Sequence, residues 1–533
     1  MPDDATSAAT SAATVSDTVP VPTFENARVQ PYAWYVLGVL VLLYVLNFID
    51  RQIVSILVED IKADLGATDA EMGFLTGAAF GVFYALFGIP LGKLADEWHR
   101  VRLIAAGLTV WSLFTALSGF AKSFGALSLA RLGVGVGEAT ASPAAYSLIS
   151  DWFPKRMRGT ALALYSSGLY LGGGVSLLIG AVIVQRWNAA YPGGGPLGLV
   201  GWQAAFLAVG LPGLLLALLI LTLREPNRGQ SEGIVTPPNP HPFRGFGQEL
   251  FAIIPPLTLV GAARQGLLAQ NLAGMGVVAA VCSFFYWVTG SGAQWSAIGI
   301  GYYAVFSWAL TLRRRDPAAF TLIWGNPAFL CTILGYGTVA FVSYAVSGWS
   351  PAYAERVLGV PKTQVAFWLG SLGALGGFLG VIIGGRVSDW LRARNPAGRI
   401  LVVGFGVLAP IVPLIIAFTT TSWALFVVLS FVLSLFGSSA LGAAAATSQD
   451  LVLPRMRGTA TATFFLATTL VGLSLGPYLV GQVSTASGSL STGVLSLLVA
   501  SPIGLGLLIA AYRLVPAAEA SVLERARAAG EPG

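Results

Sequence analysis

The chain has 533 residues, of which 55% are hydrophobic and only 10% are charged. Soluble domains carry about 25% charged residues, so this composition excludes a soluble globular protein and indicates a chain that crosses a membrane many times. The formal net charge is +6, but the cations are scattered among short loops. The sequence shows no basic face with interleaved aromatic residues, which argues against nucleic acid as a partner.

The amino-terminal residues 1–31 are rich in Ala, Ser and Thr and contain no basic segment followed by an apolar one. This pattern predicts a disordered tail and not a signal peptide. Apolar runs of spanning length follow in groups of six, two and six, which predicts an all-α polytopic membrane protein with about fourteen transmembrane helices. The runs fall at about 34–58, 70–92, 101–122, 125–150, 160–186, 202–224, 267–290, 293–312, 326–349, 364–388, 399–418, 422–447, 459–484 and 491–514.

The grouping of the runs predicts the domain organisation. We expect a disordered cytoplasmic tail at 1–31, a six-helix bundle at 32–224, a cytoplasmic linker at 225–266, an inserted transmembrane hairpin at 267–312, a second six-helix bundle at 313–514 and a cytoplasmic tail at 515–533. The first part of the linker, 225–245, contains four prolines between Pro237 and Pro242. Proline-rich linkers are extended and solvated, so we expect no packed structure there.

Loop charges orient the predicted helices. The loop after the first run contains five carboxylates between Glu59 and Glu71, whereas arginine and lysine concentrate in the loops around Arg100, Arg392 and Arg455. Cytoplasmic loops carry the excess of Lys and Arg in membrane proteins, so both termini are expected in the cytoplasm. The excess of arginine over lysine favours a bacterial source, and therefore a location in the bacterial cytoplasmic membrane.

The first apolar run contains two adjacent charges. Asp50 lies beside Arg51, although a charge at membrane depth costs about 2.5–3.5 kcal/mol on insertion scales. Tyr44 and Asn47 precede them at helical spacings of three and four, so the four side chains share one face of a helix.

The fourth run also contains charges on one helical face. Arg131 and Glu138 are seven residues apart, which is two helical turns. Intramembrane charges face a bundle interior or a water-filled cavity. We therefore expect Asp50, Arg51 and Glu138 to meet in the central cavity of the first bundle.

The two halves of the chain repeat each other. Residues 156–161 and 455–460 have the same six letters, Arg-Met-Arg-Gly-Thr-Ala, and each copy follows an aspartate at the same distance, Asp151 or Asp450. Two halves of equal topology are typical of transporters that expose a central site to each side of the membrane in turn.

Several segments of the chain are similar to those of the major facilitator superfamily. The segment Gly92-Lys-Leu-Ala-Asp-Glu-Trp-His-Arg-Val-Arg102 resembles the family's signature loop between the second and third helices, although Glu97 and His99 depart from it. Within the superfamily the chain resembles the spinster-like transporters. That resemblance is carried by Asn47–Arg51, Gly137–Ala139, Asp151–Pro154 with Arg158-Gly159, Arg224–Pro226 and Gly348–Pro351. It covers nearly all of 32–228 and 320–514 and implies the major facilitator fold, in which two six-helix bundles are related by a pseudo-two-fold axis. Residues 245–312 lie outside it.

The resemblance also implies that Asp50, Arg51 and Glu138 couple transport to protons. Burial disfavours the charged form of a carboxylate, whereas a nearby guanidinium favours it, so such a carboxylate can change protonation when its surroundings change. Arginine stays charged and can hold the carboxylate in one state and an anionic substrate in the other. A fixed ion pair that only locks two helices together is the alternative. The two histidines, His99 and His241, lie in loops, so a proton relay must use carboxylates.

The second bundle has no comparable charge in its helices. Its sequence therefore predicts an apolar, weakly polar wall, which suits an amphiphile with an anionic head. The candidate substrate contacts are Tyr44, Asn47, Arg51 and Glu138 in the first half and Ser343, Tyr344, Ser347, Trp368, Ser438, Ser439, Phe464 and Phe465 in the second. For any single aromatic among these, ordinary packing is the alternative.

Charged residues at the cytoplasmic helix ends are predicted to cap helices and to latch the halves together as they rock. The candidates are Asp96, Arg100, Arg102, Arg131, Asp151, Arg158, Asp389, Arg392, Asp450 and Arg457. Static surface ion pairs are the alternative, and Arg131 also suits a role in coupling.

The sequence is therefore interpreted as a proton-coupled secondary transporter and not as an enzyme. The resemblance implies a lysophospholipid or a sphingoid phosphate as the substrate class. The expected partners are this small amphiphile, protons and membrane lipids, with a proton gradient in place of any cofactor and a monomer as the working form. The alternatives are an organic-anion symporter of another major facilitator subfamily, a membrane-embedded lipid enzyme, and a transport-dead sensor. Gly472–Gly476 matches a nucleophile-elbow pattern, but it lies in an apolar helix, and no Cys/His cluster has metal-ligand spacing.

Overall fold

The computed structural model describes residues 29–229 and 240–531, and the regular structure in these ranges is helical. The predicted tail at 1–31 lies outside the described residues except for its last three positions. The same holds for residues 230–239 of the predicted linker.

The amino-terminal half consists of eight helices that correspond to the first six apolar runs. They are α1 (Pro31–Leu65), α2 (Asp69–Thr76), α3 (Ala78–Glu97), α4 (Arg100–Ser118), α5 (Phe124–Glu138), α6 (Ala141–Trp152), α7 (Lys155–Ala190) and α8 (Gly201–Leu221). The second run is divided at Gly77 into α2 and α3, and the fourth is divided at residues 139–140 into α5 and α6. Pro143, near the start of α6, has no N–H to donate to the carbonyl of Ala139, which favours the break in the fourth run.

The middle of the chain contains five helices. They are α9 (Pro242–Ile253), α10 (Leu257–Arg264), α11 (Leu268–Thr289), α12 (Gly292–Arg315) and α13 (Pro317–Ile323). The axes of α9 and α10 differ by 101°, and the two prolines Pro255 and Pro256 between them explain why the helix ends there. The predicted linker at 225–266 is thus helical over much of its second part. α11 and α12 pack on each other as an antiparallel hairpin whose turn is Gly290-Ser291.

The carboxy-terminal half contains the remaining helices. They are α14 (Pro327–Arg356), α15 (Lys362–Arg392), α16 (Gly398–Leu408), α17 (Ile411–Ala417), α18 (Trp423–Asp450), α19 (Arg457–Ala467), α20 (Ser474–Ser487), α21 (Leu490–Leu495), α22 (Ala500–Ala520) and α23 (Val522–Ala528). A π-helical turn at Thr468–Leu473 joins α19 to α20, so the apolar run at 459–484 is continuous but locally widened. The predicted tail at 515–533 begins as the last turns of α22 and continues into α23.

Twelve helices or continuous helix pairs in the described ranges are long and apolar enough to cross a membrane. α11 is one of them, but α12 and the broken pair α5–α6 are not. α5 fails by its length of 15 residues. α12 contains the buried Gln294 and Ser307, which a helix can carry when other helices and not lipid surround it. The number of fourteen transmembrane helices stays a prediction.

The buried side chains show where the two halves pack together. At the end of the molecule that contains Glu59 and Asp69, here called the acidic end, one hydrophobic cluster includes residues of both halves, among them Leu57 of α1 and Trp349 of α14. At the opposite end, here called the basic end, which contains Arg100 and Arg399, one cluster consists of first-half residues apart from Leu473, and another lies within the second half. A further cluster along α3 and α12 also joins the halves, through Leu466 and Leu470. The core at the acidic end is therefore shared, whereas the two clusters at the basic end belong almost entirely to one half each.

Candidate functional site

Two ion pairs join α1 to α5 near the middle of both apolar runs. Nη2 of Arg51 donates to Oε2 of Glu138 at 2.7 Å, and Nη1 of Arg131 lies 3.6 Å from Oδ1 of Asp50. Thr115 of α4 donates a hydrogen bond to Oδ2 of Asp50 at 2.5 Å. The structure thus brings Arg51 and Glu138 together, but Asp50 pairs with Arg131, which the sequence analysis placed among the latch residues.

The position of Glu138 follows from the local sequence. It is the last residue of α5, just before the break at residues 139–140. A Cβ on Gly135 would lie 2.6 Å from the backbone oxygen of Phe80, and one on Gly137 would lie 2.6 Å from the backbone nitrogen of Trp111. Only glycine allows α5 to approach α3 and α4 this closely, and this approach brings Glu138 into the bundle interior.

Aromatic rings surround the guanidinium of Arg51. Its Cζ lies 4.9 Å from the ring centroid of Phe48, 4.5 Å from that of Phe80 and 4.7 Å from that of Tyr84, all within the range of a cation–π interaction. The side chain of Arg51 is 13% exposed, whereas that of Glu138 is fully buried. The arginine is therefore the more accessible member of the pair, and the carboxylate lies behind it.

The same region of α1 contacts the carboxy-terminal half. Nε2 of Gln52 donates to Oγ of Ser347 in α14 at 3.1 Å. Tyr344, one turn earlier in α14, packs against buried clusters of both halves and lies near Arg51. Of the predicted substrate contacts in the second half, Tyr344 and Ser347 thus lie beside α1.

The remaining predicted substrate contacts take part in helix packing. Tyr44 stacks on Tyr165 with centroids 4.3 Å apart, and Asn47 is buried. Ser343 packs on Gly437, and Ser438 and Ser439 pack on Gly380 and Gly384 of α15 while donating to carbonyls of their own helix. Phe464 is buried and stacks on Tyr336, whereas Phe465 and Trp368 are exposed. Substrate contact by these side chains stays a prediction.

The predicted latch residues of the first half contact other residues of that half. Arg100 is fully buried and forms an ion pair with Asp151, a second at 2.7 Å with Glu225 and a hydrogen bond with Ser147. Arg158 donates to the carbonyl oxygen of Ser150 at 3.0 Å. Asp96 and Arg102 are exposed.

The predicted latch residues of the second half form a matching network. Arg399 pairs with Asp450 and, at 3.2 Å, with Asp389, and Arg392 pairs with Glu519. Arg457 is exposed at the start of α19. The contacts described here for both networks are internal to one half, and a latch between the halves stays a prediction.

Ion pairs that the sequence analysis did not single out join the halves at the acidic end. Nη1 of Arg356, at the end of α14, lies 2.6 Å from Asp69, and its Nη2 lies 2.6 Å from Glu59. Lys362 of α15 pairs with Asp60. The sequence did contain a signal for these pairs. Arg356 and Lys362 flank the loop at 357–361, which lies on the non-cytoplasmic side, where the positive-inside rule predicts few cations.

Asp69 is the centre of this group. Besides Arg356 it pairs with Lys62 and accepts a hydrogen bond from Oγ of Ser484 in α20 at 2.6 Å. Next to it, the backbone N–H of Ala70 donates to Oγ1 of Thr485 at 3.0 Å. α2 and α20 are therefore held together at the acidic end by charged and neutral hydrogen bonds.

Comparison with known proteins places this geometry in a family. Residues 40–414 match the model of the Major Facilitator Superfamily. The chain is 29% identical over 455 residues to an MFS-type efflux pump of Mycolicibacterium smegmatis, with 85% of this chain and 84% of the relative covered. It is 26% identical over 470 residues to human protein spinster homolog 1, with 84% and 72% covered. It is also 25% identical over 420 residues to a probable galactarate/D-glucarate transporter of Bacillus subtilis, with 77% of each covered.

Solved structures show the same relationship. The chain superposes on a bacterial homolog of the human lysosomal transporter spinster, crystallised in an inward-facing and unoccupied conformation, with a TM-score of 0.66 and 27% identity over 93% of this chain and 98% of that one. The D-xylose–proton symporter, at 16% identity and a TM-score of 0.59, shares the fold over 91% of this chain and 99% of that one. The chain belongs to the Major Facilitator Superfamily and is an integral membrane transporter of the spinster type.

Proposed function

We propose that this transporter moves an amphiphilic or lipid-like organic anion by alternating access and couples the movement to protons. The observation that carries the proposal is the Arg51–Glu138 ion pair, in which the arginine is partly exposed and the carboxylate is fully buried. An anion that reaches Arg51 competes with Glu138 for the guanidinium. A buried carboxylate without its cation is costly and takes up a proton instead. Anion binding and protonation are linked in this way.

The second pair supports a division of roles. Asp50 and Arg131 are both almost fully buried, and Thr115 holds one carboxylate oxygen. In our proposal Asp50 is a second proton site that opens only when the halves move, and Arg131 serves coupling as well as the predicted latch.

The surroundings of Arg51 support an amphiphilic cargo. Phe48, Phe80 and Tyr84 form an aromatic wall around the cation, and Tyr344 of the other half lies near it. Such a site offers a charge for an anionic head and apolar surface for the group attached to it. The class of lysophospholipids and sphingoid phosphates comes from the resemblance to spinster-like proteins.

The packing supports alternating access. The halves share a core and several ion pairs at the acidic end, while the charged networks at the basic end lie within each half. We propose that closure of the basic end brings the predicted latch residues of the two halves together and breaks the acidic-end pairs. In this proposal the basic end and both termini face the cytoplasm of a bacterium, and the transporter acts as a monomer without a cofactor.

A specific observation favours a second candidate, a symporter of small organic anions. The galactarate/D-glucarate transporter matches this chain over 77% of its own length, and an arginine beside a carboxylate can also bind a sugar acid. The two candidates differ in the tail of the cargo and not in its charged head.

Uptake into proteoliposomes tests the proposal. With the interior buffered at a different pH from the outside, we expect an imposed proton gradient to drive accumulation of a lysophospholipid, and excess galactarate to leave that accumulation unchanged. Inhibition by galactarate, with direct uptake of labelled galactarate, would establish the second candidate. If a proton gradient drives uptake of neither compound class, coupling is disproved.

The carboxylates are tested by neutral variants. Glu138→Gln and Asp50→Asn are each expected to lower gradient-driven uptake at least about a hundredfold, the lower end of what a positioned proton-transfer group contributes. Glu524→Gln, which neutralises an exposed carboxylate in α23, is the control and keeps full uptake. Size-exclusion profiles identify variants that are inactive only because they are unfolded. Undiminished proton-driven uptake by both variants would show that Asp50 and Glu138 have only a structural role.

A further inference from the structure

The hairpin α11–α12 contains a groove whose lining residues take no part in the proposed transport site. The groove has a volume of about 460 Å³ and is lined by Gln270, Ala273, Gly274 and Val277 of α11 and by Phe306 and Arg313 of α12, among others. Its volume lies within the range of about 300–1,000 Å³ that small-molecule sites occupy. It opens on the outer face of the hairpin, where α11 is almost entirely exposed.

The groove has a polar end and an apolar stem. Arg313 and Gln270 lie at its basic-end side, because α12 ends at Arg315 and α11 begins at Leu268. From Gln270 to Val277 the helix rises about 10 Å, and along this length the lining consists of Ala, Gly, Val, Leu and Phe side chains.

The hairpin has the dimensions of a bilayer. α11 has 22 residues, which corresponds to about 33 Å, close to the hydrocarbon thickness of about 30 Å. Exposed Phe284, Tyr286 and Trp287 lie at its acidic end, as expected for the aromatic belt of a membrane interface. The arginines at the other end of the hairpin therefore lie at the depth of the lipid headgroups, and the apolar stem lies at the depth of the acyl chains.

Arg313 is available to an anion. Its guanidinium lies 5.7 Å from the ring centroid of Phe320, and within residues 29–229 and 240–531 no carboxylate is in ion-pair distance of it. Arg315, two positions on, is instead paired with Glu249 at 2.8 Å. Among the residues that the structure describes, Arg315 is thus paired with a protein carboxylate, whereas Arg313 lines the groove.

From this arrangement we infer that the α11–α12 groove is a binding site for an anionic phospholipid of the surrounding bilayer. The phosphate lies on Arg313 with Gln270 as a hydrogen-bond donor, and one acyl chain occupies the stem between Ala273 and Phe306. The charge at headgroup depth and the apolar lining below it select this occupant over a zwitterionic lipid, because a cation at the interface is worth about 1 kcal/mol with an anionic headgroup. The site is separate from Arg51 and independent of the transported cargo.

Lipid binding to the full-length protein tests this inference. In neutral detergent, phosphatidylglycerol is expected to remain bound in native mass spectrometry and to raise the melting temperature, and phosphatidylcholine with the same acyl chains is expected to do so only weakly. Inorganic phosphate at millimolar concentration is expected to have no effect, because it cannot occupy the stem. Stabilisation by phosphate alone would show that the groove is a simple anion site and not a lipid site.

Variants separate the headgroup contact from general surface charge. Arg313→Gln is expected to weaken phosphatidylglycerol binding about fivefold, the equivalent of one interfacial cation. Arg314→Gln removes a neighbouring exposed charge that does not line the groove and is expected to leave binding within twofold. Equal losses in the two variants would show nonspecific attraction and overturn the site.

Filling the stem tests the acyl-chain contact. Ala273→Phe and Val277→Trp both place bulk in the groove on an exposed helix face, and each is expected to lower phosphatidylglycerol binding about tenfold, because about two methylenes lose their burial. The melting temperature in phosphatidylcholine identifies a variant that is misfolded. Two folded variants that bind phosphatidylglycerol as wild type does would exclude the groove.

Discussion

Arg51 is held by two kinds of interaction at once, an ion pair with Glu138 and the faces of Phe48, Phe80 and Tyr84. The sequence predicted that Asp50, Arg51 and Glu138 meet, because helical spacing and the cost of membrane charges restrict where they can point. It could not predict which acid pairs with which base. The pairing depends on the side-chain rotamers and on how closely Gly135 and Gly137 allow three helices to approach. The spacing of residues within one segment reveals neither.

The Arg51–Glu138 pair makes a prediction about stability. Glu138→Gln leaves a largely buried guanidinium without its carboxylate and is expected to cost about 3–5 kcal/mol. Replacing both partners, Arg51→Met with Glu138→Leu, is expected to restore most of this stability, because an apolar pair of similar volume has no charge to desolvate. Chemical denaturation of the purified protein measures both effects. If the double variant is as unstable as the single one, a purely electrostatic account of the loss is wrong.

Thr115 makes a second prediction at this scale. Thr115→Val removes the hydroxyl that donates to Asp50 and is expected to destabilise the protein by about 1.5–3 kcal/mol, the range for a hydrogen bond to a charged group. The control is Thr109→Val in the same helix, because the Thr109 hydroxyl donates only to the backbone of Ala105. The difference between the two variants isolates the Asp50 contact, and equal melting temperatures would contradict it.

At the scale of helices, the apolar runs predicted most of the membrane spans, because length and hydropathy are properties of a single segment. The helices in the second part of the linker were not predicted. Its prolines end helices at Pro255-Pro256 but allow α9 and α10 on either side. The acidic-end ion pairs were also missed, since they join residues about 290 positions apart, and the sequence alone does not reveal the contact of α1 and α2 with α14.

Asp69 makes a prediction about how strongly the two halves are held together at the acidic end. Asp69→Asn removes the charge that pairs with Arg356 and Lys62 and is expected to shift the equilibrium toward an open acidic end at least about fivefold, the effect of roughly 1 kcal/mol. Oxidative cross-linking of Ala70→Cys with Thr485→Cys reports the closed state. Asp64→Asn, whose carboxylate accepts a hydrogen bond from Trp202 within the first half, is the control. An unchanged cross-linking rate in Asp69→Asn would show that the apolar core alone closes this end.

The carboxy-terminal segment makes a prediction about pH. Arg455 donates to Asp316 at 2.6 Å and also pairs with Glu531, and its hydrogen bonds lower the pKa of both carboxyl groups. Groups with a depressed pKa in the folded state contribute stability at neutral pH that is lost as the pH falls through the folded-state value. We therefore expect the segment after α22 to stay protected from proteolysis at pH 7 and to become cleavable below about pH 4.

An arginine variant separates this contact from general acid unfolding. Arg455→Gln is expected to expose the segment already at pH 7, while the helices of the bundles stay resistant. Protection of the variant equal to that of the wild type at pH 7 would show that the contact of α13 with α23, and not the ion pair, holds the segment.

At the scale of the whole molecule, the halves approach closely where α7 crosses α15. A Cβ on Gly174 would lie 2.5 Å from the backbone oxygen of Gly370, whereas one on Gly173 would meet nothing within 4 Å. Gly174→Leu is therefore expected to prevent the observed packing and to lower uptake at least about tenfold, and Gly173→Leu is expected to keep uptake within twofold. Equal activity of the two variants would mean that this crossing is not needed in the cycle.

The position of α12 has a consequence for any cargo that arrives sideways from the lipid. A Cβ on Gly301 would meet Val82 of the first half at 3.3 Å and Leu470 of the second at 3.0 Å, and Gln294 donates to the carbonyl oxygen of Ser474. This helix thus lies across the junction of α3 with the π-helical turn after α19 and screens it from the bilayer. An acyl tail that enters laterally during the proposed cycle therefore has to pass the opposite flank, where the close contact of α7 with α15 at Gly174 and Gly370 must open first.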